Sequence, residues 1–128
     1  RRALDDAGLS PDDVDYVNAH GTSTPGGDRA EVRALKAVFG SRLGGVAVSS
    51  TKSMIGHLTV AAGAVEAIVT ALSLRDGLVH PTLNQEHRDP ECEVDTVPEG
   101  ARRVDLRAAL SNSFAFGGSN VSVLVGAP

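Results

Sequence analysis

The sequence predicts an α/β domain in which helices cover a mixed β-sheet, and three observations lead there. Short β-rich runs alternate with helical runs along the 128 residues, the order of a layered α/β unit rather than of a bundle or a sandwich. A hydrophobic share of 41% is enough for a core, and with 3% aromatics and no Trp that core is built from Ala, Val, Leu and Ile. The length is that of one compact domain, so residues 1–128 are expected to form a single unit without a cleft between lobes.

The first residues, from Arg1 through Leu4 and Ala7, read as the tail of a helix that Gly8 stops. Ser10, Pro11 and Asp13 mark one short helical turn, after which Val14, Tyr16 and Val17 read as a strand ending near Ala19. HGTST at 20–24 is a polar loop, and Thr24 before Pro25 is the cap and first position of a new helix. On that helix Val32, Leu35 and Phe39 share a face, which puts Glu31, Arg33 and Lys36 largely outside, and Gly40 ends it. Residues 46–48 read as a short buried strand. The stretch 60–74 has almost no polar face, so it is expected to be a helix buried on most sides and closed by Gly77. Residues 80–100 read as an irregular surface connector, long enough to suggest a functional or interface loop. Residues 109–114 and 120–125 read as two strands of a hairpin joined through Phe116, Gly117, Gly118 and Ser119.

Charge excludes several functions. Twelve Lys and Arg against 16 Asp and Glu leave a net charge of -4, so no basic field exists to collect nucleic acid or anionic lipid. No apolar run reaches the roughly 18 residues of a spanning helix, and no signal-peptide pattern is present. The single cysteine, Cys92, cannot form an internal disulfide, which is consistent with a reducing cytosol. Cys92 lies in DPECE, where neighbouring carboxylates raise a thiol pKa and make it a poor nucleophile. His80, His87 and Cys92 follow no zinc spacing, and there is no phosphate-binding glycine loop, so neither a metal nor a nucleotide is expected.

The candidates for chemistry are few. His20 directly follows a strand, where ligands of open α/β sheets collect. His57 precedes the apolar helix, whose amino end, if aimed at the site, would keep the imidazole neutral and able to donate a hydrogen bond. The plainer alternative is that each ring satisfies a local carbonyl. Glu66 is the sole carboxylate of the apolar helix and needs a cation if buried, and Lys52 in STKSMIGH is the nearest candidate. In SNSFAFGGSN, Gly117 and Gly118 permit close backbone approaches, so the Phe116 amide is placed to face an oxyanion, unless the segment is simply a hairpin turn.

Together, VNAHGTSTPGGD at 17–28, SSTKSMIGHLTVAAGAVEAI at 49–68, PTLN at 81–84 and LSNSFAFGGSNVSVLV at 110–125 resemble the beta-ketoacyl synthases, in the style of the elongating synthase II. The resemblance implies a thiolase-like fold, of which this chain is most of the carboxyl-terminal half. It implies decarboxylative condensation of malonyl-acyl carrier protein with an acyl thioester in fatty acid elongation, with the substrates carried on phosphopantetheine and no other cofactor. Acyl carrier protein is the implied partner and a cytoplasmic homodimer the implied assembly. By the same resemblance His20 and His57 are the catalytic histidines, Lys52 and Glu66 the accompanying catalytic ion pair, Thr22, Thr24, Gly117 and Gly118 the substrate- and pantetheine-binding residues, and Phe116 the gating phenylalanine whose amide completes the oxyanion hole. Two positions depart from the pattern: Gly26, where a larger apolar residue is frequent, and Ala115, where glycine is usual. Nothing here resembles the family's nucleophilic cysteine, so the segment alone is expected to be inactive in condensation. The alternatives are a polyketide ketosynthase, a non-catalytic chain-length subunit, and an unrelated α/β binding domain, the last of which requires His20 and His57 to lie far apart.

Overall fold

In the computed structural model, which describes residues 1–126, local signals are met first. Helix α1 (Arg2–Ala7) stops at Gly8, whose left-handed backbone (φ 66°, ψ 24°) lets its N–H close on the Asp5 carbonyl. The Ser10 N–H and hydroxyl both donate to Asp13 Oδ2, at 2.8 and 2.7 Å, and pin the turn that follows. The chain continues through β1 (Tyr16–Asn18), α2 (Pro25–Phe39), β2 (Ala47–Ser49), α3 (Lys52–Ile55) and α4 (Ala62–Asp76). Two short strands, β3 (Leu78–Val79) and β4 (Arg102–Arg103), bracket the connector, and β5 (Ala108–Phe114) and β6 (Asn120–Gly126) close the chain. The short helix α3 and the β3–β4 ladder were not legible in the sequence.

The main sheet has the order β2-β1-β5-β6. β1 is parallel to both neighbours, with Asn18 level with Ser49 on one side and Ser111 on the other. β5 and β6 are antiparallel, from Ala108 opposite Gly126 to Phe114 opposite Asn120. The sheet is therefore mixed, as expected, and the carboxyl ends of β1 and β2 point to one edge, beside the middle of β5. At the opposite edge Asp15, just before β1, accepts from Arg42 (2.9 Å) and from the Arg107 guanidinium (3.0 Å) and amide (2.9 Å).

Side chains alternate across β1. Val17 and Ala19 join Leu4, Leu35, Phe39, Val46 and Val48 in the core beneath α1 and α2. Tyr16 faces the other way, into a second core with Ala47, Val79, Val97 and Ala109. Each fully buried Val or Leu contributes roughly 1.5–3 kcal/mol, so small aliphatics suffice to hold the layers without Trp.

Three expectations need correction. Glu31 is buried, at 5% exposure, because Asp28 and Glu31 continue the Val32–Leu35–Phe39 stripe one turn toward the amino end of α2. α4 is not buried on most sides: it turns Ala62, Glu66, Thr70 and Ser73 inward and leaves Ile68 and Leu72 60% and 42% exposed. Its polar stripe finds partners on the sheet, and nothing in these residues packs on its apolar face. Finally, the connector is not all surface. The Val48 N–H donates to the Asp95 carbonyl at 2.7 Å, and Thr96 and Val97 are buried beside β2.

Candidate active site

The edge where β1 and β2 end collects the chemistry. His20 leaves β1 in a loop held by one carboxylate: the His20 and Gly21 N–H groups donate to the two oxygens of Glu31, each at 3.0 Å. Asn112 Nδ2 donates to the same Glu31 at 3.1 Å, and the Ser122 hydroxyl donates to Asn112 Oδ1 at 2.7 Å. Gly21 has φ +40°, and a Cβ there would lie 2.8 Å from Ser50 Cβ, so only glycine lets the loop pass β2. Burial pushes the Glu31 carboxyl up, against the hydrogen bonds from Gly21, Asn112 and His20.

His57 arrives from the other side, after α3 ends at Gly56 (φ 75°). The His20 and His57 rings are edge to face with centroids 5.6 Å apart, and Phe114 lies against His20 at another 5.6 Å. The Thr59 N–H donates to His57 Nδ1 at 3.0 Å. That bond occupies the Nδ1 lone pair, so the neutral ring carries its proton on Nε2. Burial lowers the basicity of His20, and the nearby Lys52 charge and His57 lower it further. His20 Nδ1 is buried without a protein partner.

Lys52 and Glu66 form the expected ion pair, with side chains only 5% and 3% exposed. Asn18 ties this pair to the sheet: its Nδ2 donates to Thr51 Oγ1 at 2.8 Å and to the Glu66 carbonyl at 3.3 Å. His80 supports Thr51 from below, its Nε2 within 3.0 Å of Thr51 Oγ1 and 3.1 Å of the Tyr16 hydroxyl.

The Thr22 and Thr24 hydroxyls lie 3.1 Å apart at the mouth. Phe116 stands fully in solvent on a turn where Gly117 and Gly118 take φ 78° and 82°. The ring against His20 is thus Phe114, and the structure does not bring Phe116 to it. Ala115 has ordinary extended backbone (φ -129°, ψ 163°), which accepts alanine without strain. Cys92 is remote from nucleophilic activation, since burial first and the Asp89 and Asp28 charges next push its thiol up.

Sequence reasoning missed Glu31, Asp28, Asn18, Asn112 and Phe114. The helical spacing 28, 31, 35, 39 was a usable signal for the first two, whereas Asn18 and Asn112 show themselves only through strand pairing.

Two imidazoles converging on one hollow beside a buried ion pair make a site suited to holding a carbonyl oxygen as negative charge develops on it. Comparison with known proteins identifies the lineage. The profile of the beta-ketoacyl synthase C-terminal domain matches residues 1–86. The chain belongs to the beta-ketoacyl synthase family. It is 54% identical over 123 residues to 3-oxoacyl-[acyl-carrier-protein] synthase 2 of Staphylococcus aureus (strain COL), covering 96% of this chain and 30% of that protein. The Coxiella burnetii synthase 2 is 48% identical over 125 residues, covering 98% of this chain and 30% of that protein. Among solved structures, a type II polyketide ketosynthase in complex with its acyl carrier protein superposes with TM-score 0.96 at 37% identity, covering 99% of this chain and 31% of that one. A beta-ketoacyl synthase from Burkholderia phymatum gives TM-score 0.91 at 42% identity, covering 98% of this chain and 30% of that one. The chain therefore has the thiolase-like fold in part and spans about three-tenths of the length of the relatives it matches. The reading as an unrelated α/β binding domain falls with the separation of the two rings and with this membership. Among the described residues no helix is long and apolar enough to cross a membrane.

Proposed function

We propose that this chain carries the decarboxylating, oxyanion-holding part of a beta-ketoacyl-acyl carrier protein synthase. The observation that supports it best is the convergence of His20 and His57 at 5.6 Å, with His57 Nδ1 already taken by a backbone amide. A malonyl thioester on phosphopantetheine presents its carbonyl oxygen to the Nε2–H groups of both rings. The bond between the α-carbon and the carboxylate breaks, carbon dioxide leaves, and the electron pair enters an enolate whose oxygen the two donors hold. Each such donor lowers the barrier by about 3 kcal/mol. The enolate carbon then attacks an acyl thioester on a cysteine, expelling the thiolate. Cys92 is the one cysteine of the sequence and is unsuited to that role, so condensation draws on a residue outside this segment.

In this reading Lys52, fixed by Glu66, keeps a positive charge near His20 and so disfavours the imidazolium. Thr22, Thr24, Gly117 and Gly118 meet the substrate and its pantetheine arm, and Phe116 gates the hollow. Acyl carrier protein is the partner, the assembly a cytosolic homodimer, the pathway fatty acid elongation, and neither metal nor further cofactor is needed. Likeness to the type II polyketide ketosynthase whose complex is bound to a hexaketide, at TM-score 0.96, favours repeated condensation as a second reading, which product chain length distinguishes.

In the full-length polypeptide carrying this segment, His20→Ala and His57→Ala should each slow carbon dioxide release from malonyl-acyl carrier protein by about 10²–10³-fold. Unchanged release in both variants overturns the reading. The 128-residue chain alone, given acyl and malonyl carrier protein, should yield no β-ketoacyl product by mass spectrometry.

A further inference from the structure

We propose that His80 is a positioning residue of the site: with residues 81–83 it forms a clasp on the stretch 49–53, and so sets the approach of Lys52 and His57. Its effect on rate rests on the decarboxylation reading, and its effect on His57 on geometry alone. Three residues of the clasp grip three of the stretch. Thr82 Oγ1 accepts from the Ser50 N–H at 3.1 Å, His80 Nε2 lies 3.0 Å from Thr51 Oγ1, and the Leu83 N–H donates to the Ser53 hydroxyl at 3.0 Å. These contacts fall on both sides of Lys52. The clasp is itself anchored, because the fully buried Val79 precedes it and the Thr82 N–H donates to the Thr96 carbonyl at 3.0 Å.

What the clasp holds is the first turn of α3. The Ser53 and Met54 N–H groups donate to the Ser50 and Thr51 carbonyls at 3.2 and 3.0 Å, and the Gly56 N–H donates to the Lys52 carbonyl at 2.9 Å, one residue before His57. A single helical turn does not sustain itself in water, so its direction is set by whatever grips it. Proton accounting then gives His80 its part. The Pro81 carbonyl, 3.0 Å from His80 Nδ1, only accepts, so Nδ1 carries a proton. In the neutral ring Nε2 is then an acceptor, and the Thr51 hydroxyl, which takes a hydrogen from Asn18 Nδ2 at 2.8 Å, donates to it. The bonds from Asn18 through Thr51 and His80 to Pro81 therefore run one way, each polarising the next. Asn18 also donates to the Glu66 carbonyl at 3.3 Å, so the same run reaches the partner of Lys52.

The Tyr16 hydroxyl stands 3.1 Å from the same Nε2, with Ser49 Oγ at 3.1 Å as its own acceptor, and its ring meets the imidazole edge to face. Removing the imidazole leaves each hydroxyl an alternative: Asn18 Oδ1 for Thr51, at 3.1 Å, and Ser49 for Tyr16. Loss of His80 should thus spare the fold while freeing α3, which separates a positioning role from a structural one.

The test uses the full-length polypeptide and ring-nitrogen NMR of isotope-labelled histidine. In mildly alkaline buffer His80 should show a protonated Nδ1 and an unprotonated Nε2, and the reverse tautomer overturns the proposal. His80→Leu should shift the His57 ring-nitrogen signals and lower kcat for carbon dioxide release about tenfold, with KM for malonyl-acyl carrier protein and the melting temperature unchanged. His80→Gln, whose amide oxygen accepts from Thr51, should restore the signals and bring kcat to within about threefold of the unaltered protein. Unmoved His57 signals in His80→Leu, or a Gln variant no better than the Leu variant, overturns the proposal. If the Leu variant fails to fold, Thr51→Val, which removes the donor to Nε2, decides in its place: moved His57 signals support the role and unmoved ones overturn it. Carbon dioxide release that survives both His20→Ala and His57→Ala fails the decarboxylation reading instead, and the His57 signals then decide the positioning role by themselves.

Discussion

Glu31 shows how one side chain sets the geometry of the site. Its two oxygens hold the consecutive amides of His20 and Gly21, so the imidazole is aimed by a carboxylate on another element. Glu31→Gln keeps one acceptor oxygen and should loosen the loop; on the proposed function it should lower decarboxylation by the full-length polypeptide about tenfold, the worth of one hydrogen bond. Because burial raises the Glu31 pKa, ionisation of this group opposes folding as pH rises through its folded value. The Gln variant removes that opposition, so its melting temperature at neutral pH should change little while turnover falls. His20 has the opposite sign. Its folded pKa is lowered, so its contribution to stability is present above the ordinary histidine value and lost as pH falls below it. The His20 ring protons should accordingly titrate by NMR with a midpoint below about 6.5. Gly21→Ala should disrupt the site, since the added Cβ meets Ser50 at 2.8 Å on a backbone with φ +40°.

Among elements, α4 departs furthest from its pattern. An apolar helix ordinarily turns its apolar face inward, yet here Glu66, Thr70 and Ser73 face the sheet. The reason is local: Lys52 and Asn18 offer Glu66 an ion pair and a backbone hydrogen bond, so the polar stripe is satisfied where it is buried. Glu66→Ala leaves the Lys52 ammonium buried and unpaired, and should cost about 3–5 kcal/mol in denaturant unfolding. The double variant Lys52→Met with Glu66→Leu should recover most of that loss, because two apolar side chains leave no unpaired charge. A double variant as unstable as the single one would mean that the pair stabilises the helix through more than charge balance.

Over the whole molecule the unpaired apolar surface matters most. Ile68 and Leu72 on α4 and Val121 and Val123 on β6 are exposed by 60%, 42%, 57% and 44%, on elements that touch one another. Apolar surface of this kind is covered in a stable assembly. The 128-residue chain by itself should therefore self-associate, and Ile68→Glu with Leu72→Glu should return it toward a monomer in sedimentation. A monomeric parent chain at high concentration would show that the patch is too small to drive association.

The order of the main-sheet strands and the two long helices, the stops at Gly8, Gly40 and Gly77, and the Lys52–Glu66 partnership were legible in the sequence. Each follows from chemistry local to a few residues or from the need to neutralise a buried charge. What only the tertiary structure decided is which groups meet across strands. The parallel register of β1 with β2 and β5 puts Asn18 level with Ser49 and Ser111, and the packing of α2 brings Glu31 to the His20 loop. It also set the Phe114 ring against His20. Periodicity names the face of an element, but the partner across the sheet is chosen by register and packing among residues tens of positions apart, and no local pattern encodes that.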